Sequence, residues 1–116
     1  MPDLIEIYIK VKKMGSSIKN TVLYTIKSYT KENPIKSREI KAKLGYSDVK
    51  IREAVHELRT VDNFPICSGS KGYFYALDIS EARHTINHLR SRAREMFEAA
   101  EGMEKAFEKD NQLSIV

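Results

Sequence analysis

The sequence predicts an α+β fold that is mainly α, with a three-helix core, a β-hairpin and a long C-terminal helix. The first half of the chain holds three short segments of helical periodicity, each preceded by a serine and followed by glycine, proline or a turn. Two strand-like runs then flank the sequence Gly-Ser-Lys-Gly, and the last third keeps a heptad of apolar residues. A chain of 116 residues suffices for one domain with its own core.

Residues 1–15 are predicted to be an N-terminal strand or arm. Apolar side chains alternate with polar ones from residue 4 to residue 12, which is the period of a strand with one buried face. Such a strand could add to the hairpin sheet, exchange with a partner or stay disordered until something binds, because an exposed strand edge allows each of these outcomes.

Residues 16–78 are predicted to form the globular domain, which begins with a helix that Ser16 or Ser17 caps. Pro34 should end this helix, because proline disfavours helical geometry in the residue before it. Ile35 then serves as a short extended connector with its side chain in the core. The apolar face of the first helix comprises Ile18, Val22, Ile26 and Tyr29.

Two further short helices follow, with a tight turn between them. Ser37 is expected to cap the second helix and Gly45 to close it, since glycine accepts the left-handed conformation of a helix end. Ser47 is expected to cap the third helix, which runs to about Thr60. Two helices joined in this way are a helix-turn-helix unit. The predicted core positions are Ile40 and Leu44 on the second helix and Ile51, Val55 and Leu58 on the third.

The hairpin is predicted from two β-prone runs, residues 65–68 and 73–77, with residues 69–72 as a four-residue loop. Alternation should bury Phe74 or its neighbours, and core packing is the expected role of Phe74. Cys67 has no second cysteine with which to form a disulfide, so it is expected to be a small packing residue in a strand.

Residues 79–110 are predicted to be a C-terminal dimerisation helix capped by Ser80, with residues 111–116 as a frayed tail. At 1.5 Å per residue the helix would extend roughly 43 Å, which is longer than a domain of this size covers. We therefore expect a coiled coil in a homodimer, parallel or antiparallel. The apolar stripe alternates steps of four and three residues through Ala82, Ile86, Leu89, Ala93, Met96, Ala100, Met103 and Phe107.

The ordered series of these elements resembles the winged helix-turn-helix family, most closely the biotin-repressor type. The stretches that carry the resemblance are Ser37 to Ile40, Leu44 to Ser47, Val49 to Arg59 and Pro65 to Tyr73, and small phage and bacterial winged-helix proteins with a helical tail look similar. The resemblance implies a DNA-binding domain whose third helix enters the major groove while the second crosses the backbone and the hairpin forms a wing. It does not extend to the ligase domain of the biotin repressor.

The predicted partner is double-stranded DNA, and the candidate contacts follow from the faces of the helices. On the third helix the side opposite the core can reach base edges and phosphates, and free N–H groups at the start of the second helix attract phosphate. Lysine at the hairpin tip suits a phosphate or the minor groove, since the flanking glycines allow close approach. The ordinary alternative for each residue is a solvated surface. The candidates are Ser37, Arg38, Ser47, Asp48, Val49, Lys50, Arg52, Glu53, His56, Lys71 and Tyr73.

Charge is distributed unevenly along the chain, whose formal net charge is +4. Residues 1–33 and 34–76 each carry an excess of three positive charges, whereas residues 77–116 carry an excess of two negative charges. A basic body suits a polyanion and an acidic C-terminal third suits a protein contact, so the chain is expected to separate two roles.

Several other classes of function are not expected. The sequence has no apolar run of membrane-spanning length and no secretion signal, which predicts a cytoplasmic protein of a bacterial or phage-infected cell. His84 and His88 have the spacing of a zinc pair but no evident third ligand, and no catalytic motif or cofactor-binding loop is present, so no enzyme, metal or cofactor is predicted.

The DNA-binding hypothesis covers a transcriptional regulator or a phage-type replication or control protein. Its rival is a winged-helix interaction module that assembles with proteins and binds no nucleic acid. DNA binding predicts that Lys50, Arg52 and Lys71 form one continuous positive face. In the rival interpretation that face is broken up by acidic residues, which are Asp48, Glu53 and Glu57.

Overall fold

The computed structural model describes residues 3–5 and 17–115, which form four helices and a two-stranded antiparallel hairpin. This confirms an α+β fold that is mainly helical, with a hairpin and a long C-terminal helix. The chain divides into two compact units, residues 1–82 and 83–116. The elements are α1 (Ser17–Lys27), α2 (Ser37–Leu44), α3 (Asp48–Thr60), β1 (Ile66–Gly69), β2 (Gly72–Tyr75) and α4 (Ile79–Ile115).

The core of the first unit lies among α1, α2, α3 and the hairpin. The apolar positions predicted for α3 are buried as expected, and Ala54 joins them. Ile35 is fully buried between α1 and α2, which confirms its role as an extended connector. The core cluster consists of Val22, Leu23, Ile26, Ile35, Ile40, Ile51, Ala54, Val55, Leu58, Phe64 and Ile66.

The turn between α2 and α3 follows the predicted chemistry, whereas the start of α2 departs from it. Gly45 closes α2 in the left-handed conformation with φ of 73°, and Ser47 caps α3 by accepting a 3.3 Å hydrogen bond from the backbone N–H of Lys50. Ser37, expected to cap α2, is instead its first helical residue, and the N-cap Lys36 contributes no side-chain hydrogen bond. α2 therefore begins one residue earlier than predicted.

α1 ends at Lys27, earlier than Pro34 alone would require. The chain leaves the helix at a turn in which Thr30 and Asn33 exchange backbone hydrogen bonds of 3.3 and 3.0 Å. The Thr30 hydroxyl also accepts from the Asn33 N–H at 3.2 Å. Short polar side chains compete with the helix for backbone groups in this way, so the turn forms before proline is reached.

The hairpin turn has two residues, Ser70 and Lys71, rather than the four that were predicted. Gly69 and Gly72 pair across the last rung of the ladder, and Cys67 pairs with Phe74. Cys67 is buried in β1, as predicted. The aromatic contacts with the core are made by the neighbours of Phe74, because Tyr73 and Tyr75 lie on the opposite face of the strand.

α4 begins one residue before the predicted cap Ser80. Asp78 caps it instead, accepting from the backbone N–H of Glu81 at 3.0 Å, while the Glu81 carboxylate accepts from the N–H of Leu77 at 2.8 Å. This reciprocal arrangement is a variant of the capping box. The helix continues through Ile115, so residues 111–115, expected to fray, have helical backbone.

The described part of the predicted N-terminal strand has a different structure. Leu4 and Ile5 have helical backbone and exposed side chains. The other residues of the predicted strand lie outside the described ranges. Within residues 3–5 and 17–115, none of the helices combines the length and apolar character needed to cross a membrane.

Candidate nucleic-acid interface

The exposed side of α3 carries the residues that were predicted to face DNA. Burial of Ile51 and Val55 turns the opposite side of the helix to solvent. Val49, an apolar residue in the first turn, is 52% exposed, so a methyl-bearing surface is open there. The exposed candidates on and before α3 are Ser47, Asp48, Val49, Lys50, Arg52, Glu53 and His56.

The charges on this side are unequally paired. In the part of the chain that the structure describes, Lys50 and Arg52 have no acidic side chain within salt-bridge distance. Asp48 lies 3.8 Å from the ammonium of Lys41, and Glu57 lies 3.8 Å from that of Lys19. Two of the three acids that would interrupt a positive face therefore have a cation beside them.

A cleft of about 400 Å³ separates the start of α2 from the hairpin. It is open to solvent, and two cations, Lys36 and Arg38, stand at its α2 side. No side-chain hydrogen bond caps α2, and the N–H of Glu39 donates to the carbonyl of Lys36 at 2.9 Å. The first-turn N–H groups that a cap would otherwise satisfy are therefore those of Ser37 and Arg38, two residues that line the cleft. A helix N-terminus with adjacent cations attracts anions. The residues lining the cleft are Lys36, Ser37, Arg38, Ser68, Gly69, Ser70, Gly72 and Tyr73.

A backbone contact between Ile35 and Tyr73 joins the segment before α2 to the hairpin. The N–H of Ile35 donates to the carbonyl of Tyr73 at 2.8 Å, and the N–H of Tyr73 donates to the carbonyl of Ile35 at 2.7 Å. Gly72 permits this approach: its φ is 130°, and a Cβ there would overlap the carbonyl oxygen of Ile35. The close approach allowed by Gly72 is therefore used within the chain.

Arg59 connects α3 to the hairpin, a role that sequence reasoning missed. Its Nε donates to the carbonyl of Ile66 at 2.8 Å and its Nη2 donates to the hydroxyl of Ser68 at 3.1 Å. Burial lowers the pKa of this guanidinium, while Tyr73 and Cys67 oppose the shift. Nothing in the sequence distinguishes an arginine in the last helical turn that packs on a hairpin from one that is solvated.

The remaining candidates occupy different environments. Ser37, Arg38 and Lys71 are exposed, and Lys71 stands in the two-residue turn at the hairpin tip. Tyr73, one of the candidate DNA contacts, is half-buried and packs against the core. Its ring is therefore committed largely to the protein.

The two histidines with the spacing of a zinc pair lie side by side on α4. His84 and His88 stack with ring centroids 6.5 Å apart on the exposed surface of α4. Among the described residues there is no group of three or more His, Cys, Asp or Glu side chains placed to hold a metal ion.

The arrangement thus brings exposed cations of three elements, α2, α3 and the hairpin tip, into the same compact unit. Comparison with known proteins adds no assignment: no family model, curated protein or solved structure matches this chain.

Proposed function

We propose that this chain is a winged helix-turn-helix protein that binds double-stranded DNA with sequence selectivity, as a homodimer formed through α4. α3 enters the major groove, α2 crosses the backbone and the hairpin, acting as the wing, contacts the backbone or the minor groove. Its cellular role is that of a transcriptional regulator or of a phage-type replication or control protein.

The observation that carries this proposal is the exposed face of α3. Lys50 and Arg52 are exposed cations without an acidic partner in the described part of the chain. Lysine and arginine in this state bind phosphates or guanine edges, and the adjacent Val49 offers an apolar contact for a thymine methyl group. A positive helix face beside an apolar residue is the combination that major-groove binding needs.

The cleft supports the same proposal from the other side of the helix-turn-helix. Lys36 and Arg38 flank an uncapped helix start, where backbone N–H groups and side-chain cations can hold one phosphate together. Such contacts set the register of a protein on the duplex and leave base recognition to α3.

The test is binding to random-sequence duplex DNA, measured by fluorescence anisotropy over a series of salt concentrations. The variant Lys50→Ala/Arg52→Ala/Lys71→Ala removes three proposed contacts. The control Lys31→Ala/Lys105→Ala/Lys109→Ala removes three exposed charges outside α2, α3 and the hairpin, so both variants have the same net charge.

Each lost phosphate contact should reduce the slope of log K against log salt concentration by about 0.9. We expect the wild-type affinity to fall steeply with salt, the first variant to lose at least about tenfold in affinity together with much of that slope, and the control to change little. Equal losses in the two variants would mean that net charge, not this face, determines binding. A folded wild-type chain that does not bind at low salt would favour the protein-interaction module.

A further inference from the structure

The second compact unit presents an apolar stripe along α4. Every side chain from residue 87 to residue 109 is exposed, including the large apolar residues Met96, Met103 and Phe107, which are 66%, 67% and 67% exposed. By contrast Ala82, at the start of the stripe, is already buried within the first unit, and Ile86 is half-buried. The surface available to a partner therefore runs from Ile86 to Phe107.

Residues of the stripe can be paired by their equal distance from its midpoint. Ile86 is paired with Met103 in this way. The two pairs nearer the midpoint are Leu89 with Ala100 and Ala93 with Met96. If a second copy of the helix lies antiparallel, these residues form successive layers of the interface. Two of the three layers then set a large side chain against an alanine, which is how facing positions fill space evenly.

A parallel pair would stack each residue on its own copy. Ala93 would then face alanine and Met96 would face methionine. Layers of two small side chains would therefore alternate with layers of two large ones along the interface. Gaps between apolar layers destabilise a core because the atoms lining them lose their contacts. Side-chain size therefore favours the antiparallel orientation.

Charge favours the same orientation independently. Residues 83–94 carry four arginines and no acidic residue, whereas residues 95–108 carry five glutamates and one lysine. An antiparallel pair sets each basic half beside the acidic half of its partner. A parallel pair sets like charges side by side over the whole length, which is repulsive.

We infer that the stripe binds a second copy of this chain in the antiparallel orientation, with Ile86 of one copy opposite Met103 of the other. This inference rests on the homodimer of the proposed function and specifies how its two subunits meet. In this register the two copies of Ile86 lie about 26 Å apart along the helix axis, at 1.5 Å for each of 17 residues.

The test is cross-linking of the full-length chain with a short bis-maleimide. Ile86→Cys and Met103→Cys are made separately, and each is treated alone and after mixing with the other. The wild-type chain is the background control, because its Cys67 is buried. Light scattering gives the mass of each variant before the reagent is added.

We expect a covalent dimer from the mixture, containing one copy of each variant, and no more than the wild-type background from either variant alone. Efficient cross-linking of each variant to itself would demonstrate a parallel pair and overturn the inference, while leaving the homodimer intact. A monomeric wild-type mass would overturn the inference and the dimer together. DNA binding is measured separately by anisotropy, so its success or failure remains distinguishable from each of these outcomes.

If cysteine in the stripe weakens the pair, a second set of variants gives the same readout. Arg83→Cys and Glu104→Cys lie beside the stripe at exposed positions, and the antiparallel register brings each close to the other on the partner. Cross-linking between these two variants, without cross-linking of either to itself, is again the expected result, and the reverse pattern contradicts it.

Discussion

Replacing Gly72 with alanine should destabilise the first unit, because the new Cβ has no space. It would overlap the carbonyl oxygen of Ile35 and lie 2.6 Å from its carbonyl carbon and 3.0 Å from the nitrogen of Lys36. These are backbone atoms, so no side-chain rotation relieves the overlap. The chain must instead move Ile35 away from Tyr73 and lose the two hydrogen bonds of 2.8 and 2.7 Å between them.

The size of the effect follows from two contributions. An L-residue at φ of 130° is strained by about 1–3 kcal/mol. Each backbone hydrogen bond lost contributes about 1 kcal/mol more. The sum is about 4 kcal/mol, a large part of the roughly 5–15 kcal/mol that stabilises a typical domain. With a urea m value of about 2 kcal/mol/M, the unfolding midpoint should fall by about 2 M.

Gly69→Ala is the matched control for this measurement. Gly69 pairs directly with Gly72 across the hairpin, yet among the described residues no atom lies within 4 Å of the position its Cβ would take. Its φ is outside the left-handed region, so alanine should change the free energy of unfolding by less than about 1 kcal/mol. Urea unfolding followed by circular dichroism distinguishes the two variants. Midpoints that agree within error would refute the argument that Gly72 is needed for close approach.

Three further predictions concern stability. Lys19→Met removes the buried ammonium that lies 2.8 Å from the carboxylate of Asp62, and should lower the free energy of unfolding in urea by about 2 kcal/mol. The loss is smaller than for a fully buried pair because Asp62 is partly exposed. A change near zero would contradict this prediction. Arg59→Lys cannot make both hairpin contacts with one ammonium and should cost about 1 kcal/mol, whereas an unchanged midpoint would show that the contacts contribute nothing. The pKa of Asp78 lies below its ordinary value of 3.8, mainly because its carboxylate accepts a hydrogen bond from the Ser80 hydroxyl and, second, because it accepts one from the Glu81 N–H. The charged cap therefore stabilises the fold above pH 3.8, and this contribution disappears as the pH falls through the folded-state pKa. The difference in thermal stability between wild type and Asp78→Asn should therefore shrink at low pH, and a difference independent of pH would be inconsistent with this cause.

The sequence was informative where short-range rules decide the structure. The period of α3 identifies Ile51, Val55 and Leu58 as core residues, and the same period exposes the face opposite them. Gly45 and Ser47 end and begin helices because few residue types satisfy those backbone positions. Such features depend on neighbours within one or two turns.

Features set by contacts between distant segments could not be predicted in this way. The pairing of Ile35 with Tyr73 determines why Gly72 is glycine, and only the folded chain brings them together. Arg59 and Lys19 look like surface cations in the sequence, and their burial depends on the hairpin and on the segment after α3. The choice of Asp78 over Ser80 as the cap of α4 depends on a shift of two residues, which periodicity does not resolve.

The contacts that hold the hairpin also bear on the proposed interface, because they place it relative to α2 and α3. Gly72 has no side chain with which to contact DNA. Replacing it with alanine would nevertheless move Ile35 away from Tyr73 and so alter the cleft between α2 and the hairpin. At a temperature where both variants are folded, Gly72→Ala should therefore bind duplex DNA more weakly than Gly69→Ala, with every proposed cation still present. If both bind as the wild type does, the position of the hairpin does not affect binding, and the interface consists of α2 and α3 alone. Weaker binding by Gly72→Ala alone would mean that the duplex contacts α3 and the hairpin together, as a wing requires.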